Sequence, residues 1–173
     1  MKSQRGPGMR PGHRHRRRFG RGQDTGRGDP YEATRKPPEP AVCSQCGAVH
    51  HLGRWSWQTP PRDSVATLCA ACQRIKDEYP AGKVVLKGAY VQKHRDDLIN
   101  LARHQGELER SEHPMNRIMN IEEEGGALVI STTDIHLPHR IGAAVHHAHH
   151  GELKTSYDED GYFSLVEWER ADE

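Results

Sequence analysis

Cys43-Ser44-Gln45-Cys46 and Cys69-Ala70-Ala71-Cys72 contain all four cysteines of the chain, in two Cys-x-x-Cys pairs separated by twenty-two residues. A Cys-x-x-Cys pair in a tight turn lets two thiolates face one cation, and two such turns complete a tetrahedral set of ligands. Gly47, directly after the first pair, suits the backbone of such a turn. The pattern predicts one structural Zn²⁺ with no open position for substrate or water, bound by Cys43, Cys46, Cys69 and Cys72.

Two disulfides, or two redox-active pairs, are the alternatives to a metal site. The N-terminus carries charge with no apolar stretch after it, so no secretory signal is visible, and the longest apolar runs, such as 127–130, are too short to span a bilayer. A thioredoxin-type motif needs only one pair, set in a βαβ pattern. These observations favour metal binding by reduced thiols in a cytoplasmic protein.

The charges of the chain are divided unevenly between its two ends. Residues 1–40 contain eleven Lys or Arg and four Asp or Glu, whereas residues 41–173 contain fourteen and twenty. Apolar residues make up 34 % of the chain and aromatic residues 6 %, which is low for a chain folded throughout. A basic tail joined to a mildly acidic body is typical of proteins that bind nucleic acid through a charged arm.

Residues 1–40 are rich in Arg, Gly and Pro and contain almost nothing apolar, so we expect this tail to be disordered on its own. Clustered arginines with interspersed glycines are typical of tails that grip RNA, because guanidinium pairs with phosphate and glycine lets the chain follow an irregular surface. A solvated tail that only aids solubility is the alternative. The candidate RNA contacts here are Arg14, Arg16, Arg17, Arg18 and Arg21.

Residues 41–80 are predicted to form a zinc ribbon, with a short helix after Cys72 that ends before Pro80. Trp55 and Trp57 would face the same way on a strand of the ribbon. They could supply its small apolar core or a platform on which bases stack beside Arg54, and a core role is expected for at least one of them. Arg54 and Trp57 are therefore further candidate RNA contacts.

The remainder of the chain predicts an α+β fold. Residues 81–114 should contain a strand at 83–87 and a long helix from about 90 to 111. Residues 115–173 should form a β-β-α-β-β unit, with strands at 117–123, 127–133, 152–158 and 162–168 and a helix at 135–150. Gly125 and Gly126 suit the turn of the first hairpin. We expect these four strands to form one antiparallel sheet covered by the helix.

The helix at 135–150 carries six histidines: His136, His139, His146, His147, His149 and His150. His146 and His150 lie four residues apart, so both could reach one metal ion, although nothing marks a general base. The alternatives are a plain solvent-facing surface, or a surface that gains positive charge below a pH of about 6.5 and binds phosphate beside Arg140. Phosphate-loop and nucleophile-elbow signatures are absent, and we expect no enzymatic activity.

The two Cys-x-x-Cys pairs and three later phrases resemble the zinc-binding N-terminal region of the nonsense-mediated-decay-protein-three family, the export adaptors of large ribosomal subunits, and most of all its short bacterial relatives. The phrases are Glu123-Glu124-Gly125, Thr132-Thr133-Asp134-Ile135-His136-Leu137 and Tyr157-Asp158. The resemblance covers residues 41–170. It implies that the four cysteines bind zinc and that the chain associates with ribosomal RNA or a ribosomal particle. The chain is much shorter than the export adaptors, so the resemblance does not extend to transport.

The sequence thus predicts a non-enzymatic zinc protein that binds RNA, most readily ribosomal RNA or a ribosomal subunit, through the basic tail and the ribbon. A protein-interaction adaptor with a structural zinc and no RNA binding is the first alternative. A metal-dependent enzyme that uses the histidine-rich helix is the second.

Overall fold

The computed structural model describes residues 29–33 and 36–171, which form two sheets and their helices. The helices are α1 (Pro30–Ala33), α2 (Ala70–Asp77), α3 (Ala89–Lys93), α4 (Arg95–Glu112) and α5 (Leu137–His149). The strands are β1 (Ala41–Cys43), β2 (Val49–His51), β3 (Arg54–Ser56), β4 (Val65–Thr67), β5 (Gly82–Lys87), β6 (Ile118–Glu124), β7 (Ala127–Thr132), β8 (Glu152–Tyr157) and β9 (Ser164–Glu169). The α+β class predicted from the sequence is confirmed.

The smaller sheet has the strand order β3-β2-β1-β4 and belongs to residues 41–80, which we call the metal module. Strand β1 pairs antiparallel with β2 and parallel with β4, so the sheet is mixed. Helix α2 follows β4 directly. The buried residues clustered around the cysteines are small: Cys43, Ala48, Cys69, Ala71 and Cys72, with Cys46, Trp55, Leu68 and Met115 partly buried against them.

The larger sheet has the order β6-β7-β5-β9-β8, and with its helices it forms what we call the sheet body, residues 81–171. Strand β5 pairs antiparallel with β7 and parallel with β9. The predicted antiparallel sheet is therefore wrong in this respect, because β5 lies between the two predicted hairpins instead of outside them. The alternating burial along β5 explains its central position in the sheet. Gly82, Val84 and Leu86 are buried, and a strand at the edge would leave them less covered.

Helices α4 and α5 pack against each other, and α5 packs on β5, β8 and β9. Gly142 permits the close approach of α5, because a Cβ at this position would lie 2.5 Å from Cγ1 of Val166. The core between helices and sheet is built mainly of large apolar side chains: Val84, Leu86, Val91, Leu98, Ile99, Ala102, Leu128, Ile130, Leu137, Ile141, Val145, Val166 and Trp168. The helix predicted at 135–150 is confirmed as α5, with Pro138 in its first turn.

The long helix predicted from about 90 to 111 is divided into α3 and α4. His94 separates them, with φ −115° and ψ 21°, outside the helical region. The ring of His94 stacks on that of Tyr90 at 3.9 Å between centroids. The apolar periodicity continues through this position, since Val91 in α3 and Leu98 in α4 are both buried in the same core. The change of direction therefore leaves the predicted buried face intact.

The end of the predicted disordered tail is ordered. Asp29 Oδ1 and Oδ2 both accept from Nη2 of Arg74 at 2.5 Å, and the Arg74 guanidinium lies 4.3 Å from the centre of the Tyr31 ring. The Tyr31 hydroxyl donates to Asp77 at 2.9 Å. These contacts hold α1 on α2, so residues 29–33 belong with the metal module. The candidate RNA contacts Arg14, Arg16, Arg17, Arg18 and Arg21 lie outside the described residues.

Candidate metal centre

The four cysteines meet at one point of the metal module. Their Sγ atoms all lie within 4.8 Å of one another, so together they could bind one metal ion. Cys43 ends β1 and Cys46 lies in the turn that follows, whereas Cys69 precedes α2 and Cys72 lies in the first turn of that helix. The first pair is placed as a ribbon hairpin would place it. The second pair lies at the start of the predicted short helix, which begins at Ala70 and not after Cys72.

The turn of the first pair is closed by backbone hydrogen bonds. Gly47 N donates to Cys43 O at 2.9 Å, and Cys43 N donates to Ala48 O at 2.8 Å. Gly47 has φ +77°, in the left-handed region that glycine occupies without steric cost. The sequence expectation for this glycine is confirmed, and the turn directs Cys43 and Cys46 toward the second pair.

The second pair uses the N-terminus of α2. Cys69 is the N-cap residue, and its Sγ accepts from Cys72 N at 3.4 Å. Cys69 N in turn donates to Cys43 Sγ at 3.4 Å, so the two pairs are hydrogen-bonded to each other. The positive end of a helix dipole stabilises negative charge on sulfur. This arrangement therefore favours thiolates at the point where a metal would bind.

Burial and hydrogen bonding act on the thiols in opposite directions. Burial raises the pKa of Cys69 and of Cys72. Burial also opposes ionisation of Cys43, but the backbone N–H groups of Cys69, Cys46 and Gln45 outweigh it and lower the pKa of Cys43 to about 6. A second and third thiolate in this buried space need a positive counter-charge, which a divalent cation bound to all four sulfurs would supply.

Arg117 supplies a further positive charge beside the sulfur atoms. Its Nη1 donates to Cys72 Sγ at 3.2 Å, and its Nη2 lies 3.0 Å from Cys46 Sγ and 3.6 Å from Cys69 Sγ. The residue is buried, at 7 % exposure. The sequence analysis did not identify Arg117, because it lies far along the chain from the cysteines and appeared only as the first residue of a predicted strand.

The sheet body fixes the position of Arg117. Its Nε donates to Pro114 O at 2.6 Å, and its backbone N donates to Thr133 Oγ1 at 2.9 Å. Thr133 N donates back to Arg117 O at 2.9 Å. Met115, two residues earlier, packs on the buried cysteines. Residues 114–117 therefore form the contact between the sheet body and the metal centre.

The two tryptophans have different environments. Trp55 is partly buried against the cysteine cluster, which confirms a core role for at least one of the pair. Trp57 remains 39 % exposed, and its Nε1 donates to Arg110 O at 2.6 Å. The guanidinium groups of Arg110 and Arg117 lie 5.6 and 6.0 Å from the Trp57 ring centre. Arg54, the expected neighbour of Trp57, is exposed on β3, and the sequence analysis missed Arg110.

The histidines of α5 do not assemble a second metal site. Within residues 29–33 and 36–171, the four cysteines are the only group of three or more His, Cys, Asp or Glu side chains close enough to share an ion. His139 pairs instead with the Tyr157 hydroxyl at 2.8 Å, and His149 with the Tyr90 hydroxyl at 3.0 Å. His146 and His150 thus have no third ligand in this part of the chain.

Arg140 forms an ion pair within the sheet body. Its Nε lies 2.7 Å from Oε1 of Glu109, a residue of α4 that is only 6 % exposed. The pair joins α5 to α4. Contact between Arg140 and RNA stays a prediction.

None of the helices in residues 29–33 and 36–171 has the length and apolar character needed to cross a bilayer. Comparisons with protein-family models, with curated proteins and with solved structures find no match to this chain. The resemblance to the nonsense-mediated-decay-protein-three family therefore stays a prediction.

Proposed function

We propose that the chain is a non-enzymatic RNA-binding protein whose target is ribosomal RNA or a ribosomal particle, and whose metal module is held together by one Zn²⁺. The observation that carries this proposal is the attachment of the basic tail to the metal module. The contact of Asp29 with buried Arg74 ties the end of the tail to α2, the helix that also presents Cys72.

Zinc is the metal that suits four cysteine sulfurs best. Soft thiolate ligands in a tetrahedral set select zinc or an iron–sulfur centre, and two Cys-x-x-Cys pairs are typical of structural zinc. Four protein ligands fill the shell of a tetrahedral ion and leave no position for substrate. The proposed role of the ion is to order the module.

The tail supplies the proposed affinity for phosphate. Residues 1–28 contain nine Lys or Arg and one Asp, a net charge of +8, whereas the whole chain has a net charge of +1. Each phosphate that such a tail neutralises releases counterions, which makes binding steeply dependent on salt. Because Arg74 is only 3 % exposed, its pair with Asp29 anchors the C-terminal end of this charged segment to the module.

Trp57 supplies a proposed stacking surface. Its ring is 39 % exposed, and the bond from Nε1 to Arg110 O fixes its orientation. An exposed indole beside a guanidinium can stack on an unpaired base, which contributes about 1–3 kcal/mol per base. Together with Arg54, these side chains extend the proposed RNA-binding surface from the tail onto the folded module.

Sedimentation of the tagged protein from cell lysate through a sucrose gradient tests the proposal. We expect co-migration with a ribosomal subunit at low salt, and its loss at high salt or on deletion of residues 1–28. A variant with Arg14, Arg16, Arg17, Arg18 and Arg21 changed to alanine should behave like the deletion, while the same five changed to lysine should keep most of the binding. Migration only at the top of the gradient at low salt would contradict the proposal and favour the adaptor alternative.

Titration of labelled ribosomal RNA fragments separates the tail from the module. Changing the five arginines to alanine should lower both the affinity and the slope of log K against log salt. Trp57→Ala should weaken binding by about 1–3 kcal/mol with the salt slope unchanged, and Trp57→Phe should recover most of the loss. Equal affinity of Trp57→Ala and wild type would remove Trp57 from the proposed surface.

A further inference from the structure

With a divalent cation bound, the metal centre would carry more negative charge than the ion can neutralise. One divalent cation bound to four thiolates leaves a net charge of minus two, and the sulfur-bearing residues Cys43, Cys69 and Cys72 are between 0 and 9 % exposed. Burying such charge costs free energy unless an opposite charge or hydrogen-bond donors accompany it. A partner for the bound metal centre is therefore required from the protein.

Arg117 meets this requirement by its geometry. Its two Nη atoms reach three of the four sulfurs, at 3.2 Å to Cys72, 3.0 Å to Cys46 and 3.6 Å to Cys69. Its other contacts are the Pro114 carbonyl oxygen and the Trp57 ring. In the part of the chain that the structure describes, its guanidinium forms no ion pair with a carboxylate, so its charge is directed at sulfur.

Arg117 also belongs to a different part of the fold from the cysteines. It precedes β6, and Thr133, which follows β7, holds its backbone N and O. The cysteines belong to β1, the turn after it and α2. A bond between sulfur and Arg117 thus connects the metal module to the edge of the sheet body.

We propose that Arg117 is the counter-cation of the metal-bound thiolates, and that metal binding joins the metal module to the sheet body through it. This inference rests on the metal binding proposed above, and it is independent of RNA. Arg117 is a positioning residue, since it acts on the metal through the sulfur atoms. Without the metal, the four sulfurs are no longer held as one anionic cluster facing the guanidinium, and the connection weakens.

Metal titrations of wild type, Arg117→Gln and Arg117→Lys test the inference. Competition with a chelator should give a Zn²⁺ dissociation constant about 10- to 100-fold higher for Arg117→Gln, the range found when an outer partner of a metal ligand is lost. Arg117→Lys should fall between that variant and wild type, because it keeps the charge. Arg110→Gln is the matched control: Arg110 also lies by Trp57 but is not bonded to sulfur, and its dissociation constant should stay within about twofold of wild type.

The absorption spectrum of bound Co²⁺ gives a second measurement. It would not change if Arg117 had a purely structural role. Sulfur-to-cobalt charge-transfer bands depend on hydrogen bonds to the sulfurs, so they should shift in Arg117→Gln and stay in place in Arg110→Gln. An unshifted spectrum together with a wild-type dissociation constant in Arg117→Gln would overturn the inference and leave metal binding intact. Failure of the wild-type protein to bind Zn²⁺ or Co²⁺ would overturn both.

Hydrogen exchange of the wild-type protein tests the connection without any variant. Adding Zn²⁺ to the metal-free protein should slow exchange of the Arg117 and Thr133 amides by at least about tenfold. The amides of Leu153 and Thr155 on β8, at the opposite edge of the sheet, serve as the internal control and should change little. Unchanged exchange at Arg117 and Thr133 would overturn the inference, even if Arg117→Gln does not fold.

Discussion

The metal module and the sheet body are held together by different means. The buried cluster around the candidate metal site consists of three cysteines and two alanines, with Trp55 as the largest side chain packed against them. The sheet body buries Trp168, Leu86, Leu98, Leu128, Ile130, Leu137, Ile141 and several valines between one sheet face and two helices. One half thus has four clustered cysteines at its centre, and the other has large apolar side chains.

The difference follows from size. Burial of apolar surface stabilises a fold by about 25 cal/mol per Å², and a segment as short as residues 41–80 cannot bury enough of it to offset its chain entropy. The proposed metal, bound to side chains that are distant in sequence, would offset this deficit. The sheet body needs no such help. We therefore expect the two halves to fail under different perturbations.

The largest effect should come from removing a metal ligand. Cys69→Ala deletes one sulfur of the metal site and the cap of α2, and zinc binding contributes on the order of 10 kcal/mol to the folding of such modules. We expect loss of bound zinc and fast hydrogen exchange through residues 41–80, while β7 and β9 stay protected. Zinc analysis and exchange mass spectrometry measure both results.

Ser44→Ala is the control for this change, since Ser44 lies between two ligands and its side chain is exposed. Zinc content and exchange in the module should match wild type. A folded Cys69→Ala module that resists chelator would contradict the view that ligands replace an apolar core in this half of the molecule.

A smaller effect, confined to the other half, should follow from a cavity in the sheet body. Leu86 is fully buried on the central strand, and Leu86→Ala should reduce the free energy of unfolding of the body by about 2–5 kcal/mol. Leu108→Ala is the matched control, because Leu108 is 50 % exposed and its loss should cost about 0.5 kcal/mol or less. The urea dependence of hydrogen exchange in β5, β7 and β9 measures the stability of the body in both variants.

The zinc content of Leu86→Ala should remain at the wild-type value under conditions where the body stays folded. Loss of zinc from this variant, or equal destabilisation by Leu86→Ala and Leu108→Ala, would show that the two halves do not have separate cores.

The features that the sequence predicted well are local ones. The two Cys-x-x-Cys pairs lie within short turns, so their spacing alone identified the candidate metal ligands. The hairpin through Gly125 and Gly126 and the apolar stripe of α5 are likewise set by neighbouring residues. Each depends on a repeat or a turn that a few positions define.

The features that the sequence did not predict depend on contacts between distant residues. The position of β5 between β7 and β9 is set by which strands share a core, and the alternation of Val84 and Leu86 is the same for an edge strand as for a central one. Arg117 reaches sulfur only after the sheet places it there. Its sequence neighbours, Asn116 and Ile118, carry no sign of a metal.

The smallest predicted effect is a pH dependence of stability that belongs to the sheet body. It arises because the environment of two histidines in this half favours their neutral form. Burial lowers the pKa of His149, and the nearby His94 lowers it further. Burial and the nearby His136 lower the pKa of His139 in the same way. Both rings bond to tyrosine hydroxyl groups, Tyr90 and Tyr157.

The sign of the effect follows from proton uptake. An unfolded histidine has a pKa of about 6.5, so as the pH falls through this value the unfolded chain binds protons before the folded one does. The stability that these rings provide is fully present above this pH and is lost as the pH falls toward their folded pKa values. Burial raises the pKa of Asp134, which gives a contribution of opposite sign between its unfolded and folded values. A comparison of variants with wild type cancels that contribution.

Thermal unfolding of the zinc-loaded protein between pH 7.5 and 5.5 measures this effect. We expect the Tm of the wild-type sheet body to fall by a few degrees, and the combined variant His139→Gln and His149→Asn to lose much of that slope, since each amide replaces the bonded ring nitrogen. His147→Asn, at an exposed position on the same helix, should keep the wild-type slope. Zinc content followed across the same range separates this effect from protonation of the thiolates, because a Tm that falls while zinc stays bound must originate in the sheet body. An equal slope in wild type and in the double variant would contradict the prediction, because it would show that His139 and His149 do not cause the pH dependence.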